Sequence, residues 1–279
     1  MKDRKALWIL FAAAILGLLA AGCMEGSDTI LAGEEEVLGD ALVAAWCFDE
    51  ESGTAAVDSS ASCWDGVLKG PSRTTGVRRG ALLLDGEDDY VEVEGLLSGE
   101  GAQMADLAEG SISIWFRCDH IPEGESVAPL FHFGRAEPCA DAEDDANEGI
   151  AVAVARGALD PESEELYFSV FDASCGGALL QVGTGSPVEE GLWNHVVIAV
   201  GASSHAVYLN GYEAKGRVYA SGGWFSTFFF ADVLTREALW IGKGFWEGEE
   251  VFFKGKIDDV RVYDRALTEE EVYAIYYGD

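Results

Sequence analysis

From Leu42 onward the chain is cut into short apolar or alternating segments separated by clusters of Gly, Asp and Ser. This punctuation is what most limits the fold, because segments of four to eight residues are too short for core helices and long enough for strands. The segments read as strands are Leu42–Phe48, Ala81–Leu84, Tyr90–Val93, Ser111–Arg117, Ile150–Ala155, Leu166–Phe171, Trp193–Val200, His205–Leu209, Ala238–Ile241 and Lys256–Tyr263. So many short strands with frequent turns predict an antiparallel β-sandwich or jelly roll. Period-2 geometry places Leu42, Ala44, Trp46 and Phe48 on one face of the first strand, and Asp258, Val260 and Val262 on one face of the last.

Only the end of the chain reads as a helix, over about Glu269–Tyr276. Thr268 caps it, Glu271 closes a capping box and Leu267 staples onto Val272. Val272 and Ile275 share a face that docks on the sandwich.

The first residues have a different grammar. Lys2, Arg4 and Lys5 precede an apolar run, Ala6–Leu19, which is shorter than the ~20 residues that span a bilayer and ends in Ala20-Ala-Gly-Cys23. This is a signal peptide, residues 1–22, and its end resembles the lipobox of bacterial lipoproteins, with Ala20 where Leu is usual. The resemblance implies that Cys23 is lipidated and that the protein is exported and anchored to the envelope by lipid alone. Residues 23–40, with Gly26, Ser27, Asp28 and Glu34–Glu36, lack apolar periodicity and read as a flexible tether. A single domain, residues 41–279, follows.

The formal charge of −32 disfavours nucleic acid as a partner and favours divalent cations or basic surfaces. It says nothing about fold.

Five blocks in order resemble the laminin-G-like jellyroll domains, a family of concanavalin A-like topology. They are Leu42–Thr54 with Val57–Ser60 and Asp65-Gly66; Gly80–Val91; Ser111–Trp115; Trp193–Val196 with Val207–Gly211; and Ile241-Gly242 with Gly255–Val272. The resemblance implies an all-β, two-sheet antiparallel sandwich with a short C-terminal helix, often with a structural calcium, that binds glycans or proteins.

Asp258 stands out, because alternation aims it at the core, where an unpaired carboxylate is costly. Resemblance to the fold implies that Asp49 and the carbonyl of Gly86 come near it, which would make a calcium site of Asp49, Gly86 and Asp258. Asp88 and Asp89 are substitute ligands. An arginine pair or a turn-capping role for Asp258 is the competing reading. The acidic run Asp141–Glu148 reads as a solvated loop, and no EF-hand pattern is present.

Lipidation of Cys23 leaves five cysteines. Cys139 and Cys175 bracket a hairpin and form the preferred disulfide; Cys47 and Cys63 admit a second across the opening loop, which leaves Cys118 over. Close cysteine pairs and histidine spacing suited to zinc are lacking.

No serine sits in a nucleophile elbow, and His120, His132, His195 and His205 have no evident nucleophile in sequence. The nearest acid pair, Glu92 and Glu94, lacks the third carboxylate of laminarinase-type sandwich hydrolases and reads as solvated edge strand. Binding chemistry is better represented. Gly222–Phe230 is the densest aromatic stretch, and Trp224 and Trp246 are candidates to stack on sugars, although consecutive phenylalanines also mark buried chain. The expected function is non-catalytic recognition of a carbohydrate or protein partner. A glycan-degrading hydrolase on the same scaffold and a purely structural adhesin are the alternatives.

Overall fold

The computed structural model describes residues 38–93, 102–123, 126–137, 148–157, 164–171 and 177–278. The strands, in chain order, begin with β1 (Leu42–Trp46), β2 (Ala55–Ala56), β3 (Gly66–Lys69), β4 (Ser72–Thr75), β5 (Gly80–Asp85) and β6 (Tyr90–Val93). After the short helix α1 (Ala102–Ala105) come β7 (Gly110–Cys118), β8 (Ala128–Gly134), β9 (Gly149–Arg156), β10 (Glu164–Phe171), β11 (Ala178–Gly183), β12 (Asn194–Val200) and β13 (His205–Leu209). The last are β14 (Tyr212–Glu213), β15 (Val218–Ser221), β16 (Ala238–Ile241), β17 (Lys243–Trp246), β18 (Glu249–Phe252) and β19 (Lys254–Tyr263), then helix α2 (Glu269–Tyr277).

They build the expected two-sheet antiparallel sandwich. One sheet runs β14-β13-β12-β7-β19-β5-β4, with β1 also paired to β19; the other runs β15-β11-β10-β9-β8-β16-β6-β3-β2. Alternation explains the layering. Ile112, Ile114 and Phe116 of β7 point into the same core as Val152, Val154, Phe168 and Val182 of the facing sheet. On β12 both faces are buried, because Val196 and Ile198 enter that core while Val197 and Ala199 pack under α2 against Leu267, Val272 and Ile275. A continuous apolar strand is the sequence signature of such two-sided burial.

The α2 capping box forms as expected: Glu271 N–H donates to Thr268 Oγ1 at 3.2 Å, and Thr268 N–H to Glu271 Oε2 at 2.8 Å. Asp58 organises the opening loop, accepting Ala45 N–H, Ser60 N–H and Trp64 N–H, each at 2.9 Å. Trp46, fully buried, donates its indole N–H to the carbonyl of Trp64.

Two bulges overturn facial assignments made from strict alternation. A register shift between Leu42 and Ala44 moves Leu42 to the cluster under α2, while Ala44, Trp46 and Phe48 stay in the main core. On β19 the register shifts between Asp258 and Arg261, with Asp259 at φ 48°. Ile257, not Asp258, therefore shares the core face with Val260 and Val262.

Strands absent from the sequence reading include β8, β11 and the β17–β18 hairpin. Pro129 in β8 and glycines at the ends of β8 and β11 read as breaks, and what keeps those strands is pairing with their neighbours.

Candidate functional site

The segment between β15 and β16 does not form a strand. Its two ends behave differently. Phe229 and Phe230 are fully buried, and Phe229 N–H donates to Asp232 Oδ2 at 2.9 Å, which fixes a tight turn. Seven residues earlier the chain turns at Gly222 (φ 72°), where Gly223 N–H donates to Ser226 Oγ at 3.1 Å. The Ser226 carbonyl meets His205 Nδ1 at 2.8 Å. Held between these anchors, Trp224 and Phe225 are 59% and 68% exposed, with ring centroids 4.2 Å apart. They line a shallow depression of about 320 Å³ together with Gly223, Ser226, Thr227 and Phe228. The sequence does not single out Phe225 as a partner of Trp224, because adjacency in sequence does not say that two rings share an open face.

Trp246 does not join this shelf. It packs with Val251 against Val127, Ala153, Ala155 and Tyr167 on the outer face of the nine-stranded sheet. Its hairpin is pinned there by Lys243, whose Nζ sits 4.4 Å from the Trp240 ring centre and 4.8 Å from that of Tyr90 while pairing with Glu250 at 2.6 Å.

The proposed ligand set Asp49, Gly86 and Asp258 is not brought together. Asp49 Oδ1 accepts Gly80 N–H at 2.7 Å and Asp258 Oδ2 accepts Val77 N–H at 2.8 Å, so both carboxylates hold the β4–β5 turn. Asp258 takes the turn-capping role. Burial, then the neighbouring Asp259, pushes its carboxyl up to about 7. Gly86 lies past the far end of β5, beside Lys254. The register sets Asp85 opposite Lys254 and Leu82 opposite Ile257, which places Gly86 roughly 17 Å along the strand from Asp258's level. What Gly86 does accompany is the turn of Asp85, Asp88 and Asp89, whose carboxylate oxygens lie within 4.8 Å of one another. Asp88 and Asp89, the substitute ligands, thus cluster with each other.

Cys63 is a free thiol, so the Cys47–Cys63 bridge is not formed. Cys139, Cys175, Cys23 and Glu94 lie outside the described residues. Glu92 is paired with Lys69 at 2.9 Å. His132 and His195 are buried, with Nε2 of the first 2.8 Å from the Arg135 carbonyl and Nε2 of the second 2.9 Å from Ser113 Oγ. Desolvation lowers them to about 4 and about 3 respectively, so both are neutral at pH 7.

A family profile matches residues 85–273, well over half of the chain, and its description is the concanavalin A-like lectin/glucanases superfamily. The chain belongs to this superfamily. Solved structures similar to it include Domain 4 of AbnA, a GH43 extracellular arabinanase from Geobacillus stearothermophilus in complex with arabinotriose. That domain aligns with TM-score 0.58 and 16% identity over 85% of this chain and 98% of its own. Trypanosoma rangeli sialidase in complex with sialic acid gives 0.57 and 18% over 85% of this chain and 33% of its own, so this chain spans about a third of that enzyme. The Ruminococcus gnavus IT-sialidase CBM40 bound to alpha2,3 sialyllactose gives 0.50 and 14%, over 70% and 96%. At such identities the likeness is one of fold. No curated protein matches the chain.

Proposed function

We propose that this superfamily member is an exported glycan-recognition module, anchored to the cell envelope through lipidated Cys23, and that Trp224 and Phe225 form its sugar-stacking shelf. The observation that carries this reading is the exposure of two adjoining large rings on a hydrogen-bonded loop. Leaving such rings in water forgoes roughly 1.5–3 kcal/mol each of burial. The apolar face of a sugar ring recovers part of that, while its hydroxyls stay solvated or meet Ser226 and Thr227. Support comes from the arabinanase domain and the sialidase module, two domains of similar fold seen with arabinotriose and sialyllactose. Binding without turnover suits the neutral, structurally engaged His132 and His195 and the paired Glu92. We further propose a structural calcium at the Asp85–Asp88–Asp89 turn.

The test is a glycan-array screen of the mature chain, with arabino- and sialo-oligosaccharides included, beside Trp224→Ala. Hits in the first that vanish in the second support the reading, and so does the absence of released sugar from bound glycans. An array silent for the wild-type chain, which still captures a protein partner, refutes it.

A further inference from the structure

The aromatic shelf and the point where the tether enters lie at the same end of the sandwich. Leu42 pairs with Tyr263, Tyr263 with Ser111, Gly110 with Val200, and Val200 with His205, so these residues form one rim of the eight-stranded sheet. His205 holds Ser226, and the Phe229 ring lies so close to Gly110 that a Cβ there would collide with it. The loop bearing Trp224 and Phe225 therefore hangs on the rim that the chain reaches through Leu38, which packs with Ala41 and Leu267. The other terminus is at the opposite rim. There Tyr277 meets Tyr212 at 3.0 Å between hydroxyls, Tyr212 pairs with Leu209, and Gly191 N–H donates to the carbonyl of Cys118. The nine residues of β7 separate the two rims by about 30 Å.

We infer that the shelf binds in cis: its ligand is a saccharide of the same envelope that carries the anchor, not one presented by an approaching surface. The inference rests on the glycan-recognition and lipid-anchor reading above. Met24–Val37 separate Cys23 from Leu38. A chain of that length reaches at most about 50 Å. The shelf end is thereby held near the lipid, and the opposite end stands about 30 Å farther out. Short attachment also raises the effective concentration of a ligand on the same surface to about millimolar. A shelf with only two exposed rings and few polar partners has the modest affinity that cis presentation can saturate and a distant surface cannot.

The experiment uses the full-length chain in isolated envelopes of the bacterium that makes it, in a Cys63→Ser, Cys139→Ser, Cys175→Ser background that removes the exposed thiol of the described residues and the two cysteines outside them. Gly223→Cys places a thiol beside Trp224 where a Cβ meets nothing within 4 Å, and leaves both rings in place. Leu192→Cys, at a 56% exposed position, reports on the far rim. The readout is the rate of modification by a bulky polyethylene-glycol maleimide. In envelopes the thiol at position 223 should react about tenfold more slowly than the one at 192, as expected for a site filled at ten times its Kd. The two rates should converge in detergent-solubilised protein, and in envelopes given excess soluble saccharide prepared from the same envelopes. Equal rates in untreated envelopes overturn the cis inference and leave glycan recognition standing on the array. Protection that persists with added saccharide and is unchanged by Trp224→Ala means that lipid or protein covers the loop, and the shelf reading itself then fails.

Discussion

Asp258 on β19 accepts the backbone N–H of Val77 at 2.8 Å across 181 residues of sequence, so a carboxylate on the longest strand holds a turn of its neighbour. Its environment makes that bond pH-dependent. Burial and Asp259 raise the folded carboxyl to about 7, above its ordinary 3.8. The folded state then binds the proton more tightly, so stability from this group is full below pH 4 and is lost as pH rises to 7. Asp258→Asn keeps an acceptor for Val77 without the charge. Thermal melts should show the variant gaining on the wild type between pH 4 and 7, by on the order of a few kcal/mol, with a constant gap above pH 7. A gap that shrinks over that window contradicts the assignment.

The buried histidines act with the opposite sign. His132 and His195 titrate below the ordinary 6.5 when folded, so unfolding takes up protons between pH 6.5 and about 4 and stability falls as pH drops through that range. His132→Phe loses the bond to the Arg135 carbonyl, which costs about 1 kcal/mol at pH 7, yet it should be less acid-sensitive than the wild type. Denaturant titrations at pH 7 and pH 4.5 measure both effects.

Asp58 is the most heavily used carboxylate of the opening loop. Asp58→Ala strands the buried amides of Ala45, Ser60 and Trp64 and should cost at least about 3 kcal/mol. For a domain of this size that lowers Tm by about 6–12 °C. A shift under 2 °C in scanning calorimetry would mean that water replaces these bonds at no cost.

Trp224 and Trp246 separate binding from packing. Trp224→Ala removes a ring that is 59% exposed and should leave stability within about 0.5 kcal/mol while abolishing glycan binding. Trp246→Ala uncovers Ala153 and Tyr167 and should destabilise by about 1–3 kcal/mol with binding retained. Parallel melts and array binding of the two variants distinguish the roles.

Calcium at the Asp85–Asp88–Asp89 turn predicts a Tm that falls on chelation and recovers with added calcium. Asp88→Asn should remove this response, whereas Asp258→Asn should not. If chelation leaves the melting curve of the mature chain unchanged, the turn holds no structural cation.

Much of this architecture is legible in the sequence. The alternation in His205–Leu209, the β-branched run ending at Val200 and the Thr268–Glu271 capping box each act over a few residues, and all three form as read. The site was less legible, for a geometric reason. Trp224 and Trp246 are the same residue type in glycine-flanked surroundings, and nothing local tells which will face solvent and which will pin a hairpin.

The sequence by itself determined the strands with clear alternation or continuous apolar runs, the capped helix and the ordered blocks that mark the superfamily, because local propensity and period-2 burial are written in neighbouring residues. Only the tertiary structure decided the face of Asp258, the separation of Gly86 from it and the gathering of shelf and tether entry on one rim. A single residue inserted at a bulge reverses every facing beyond it, and that choice is made by pairing between strands far apart in the chain.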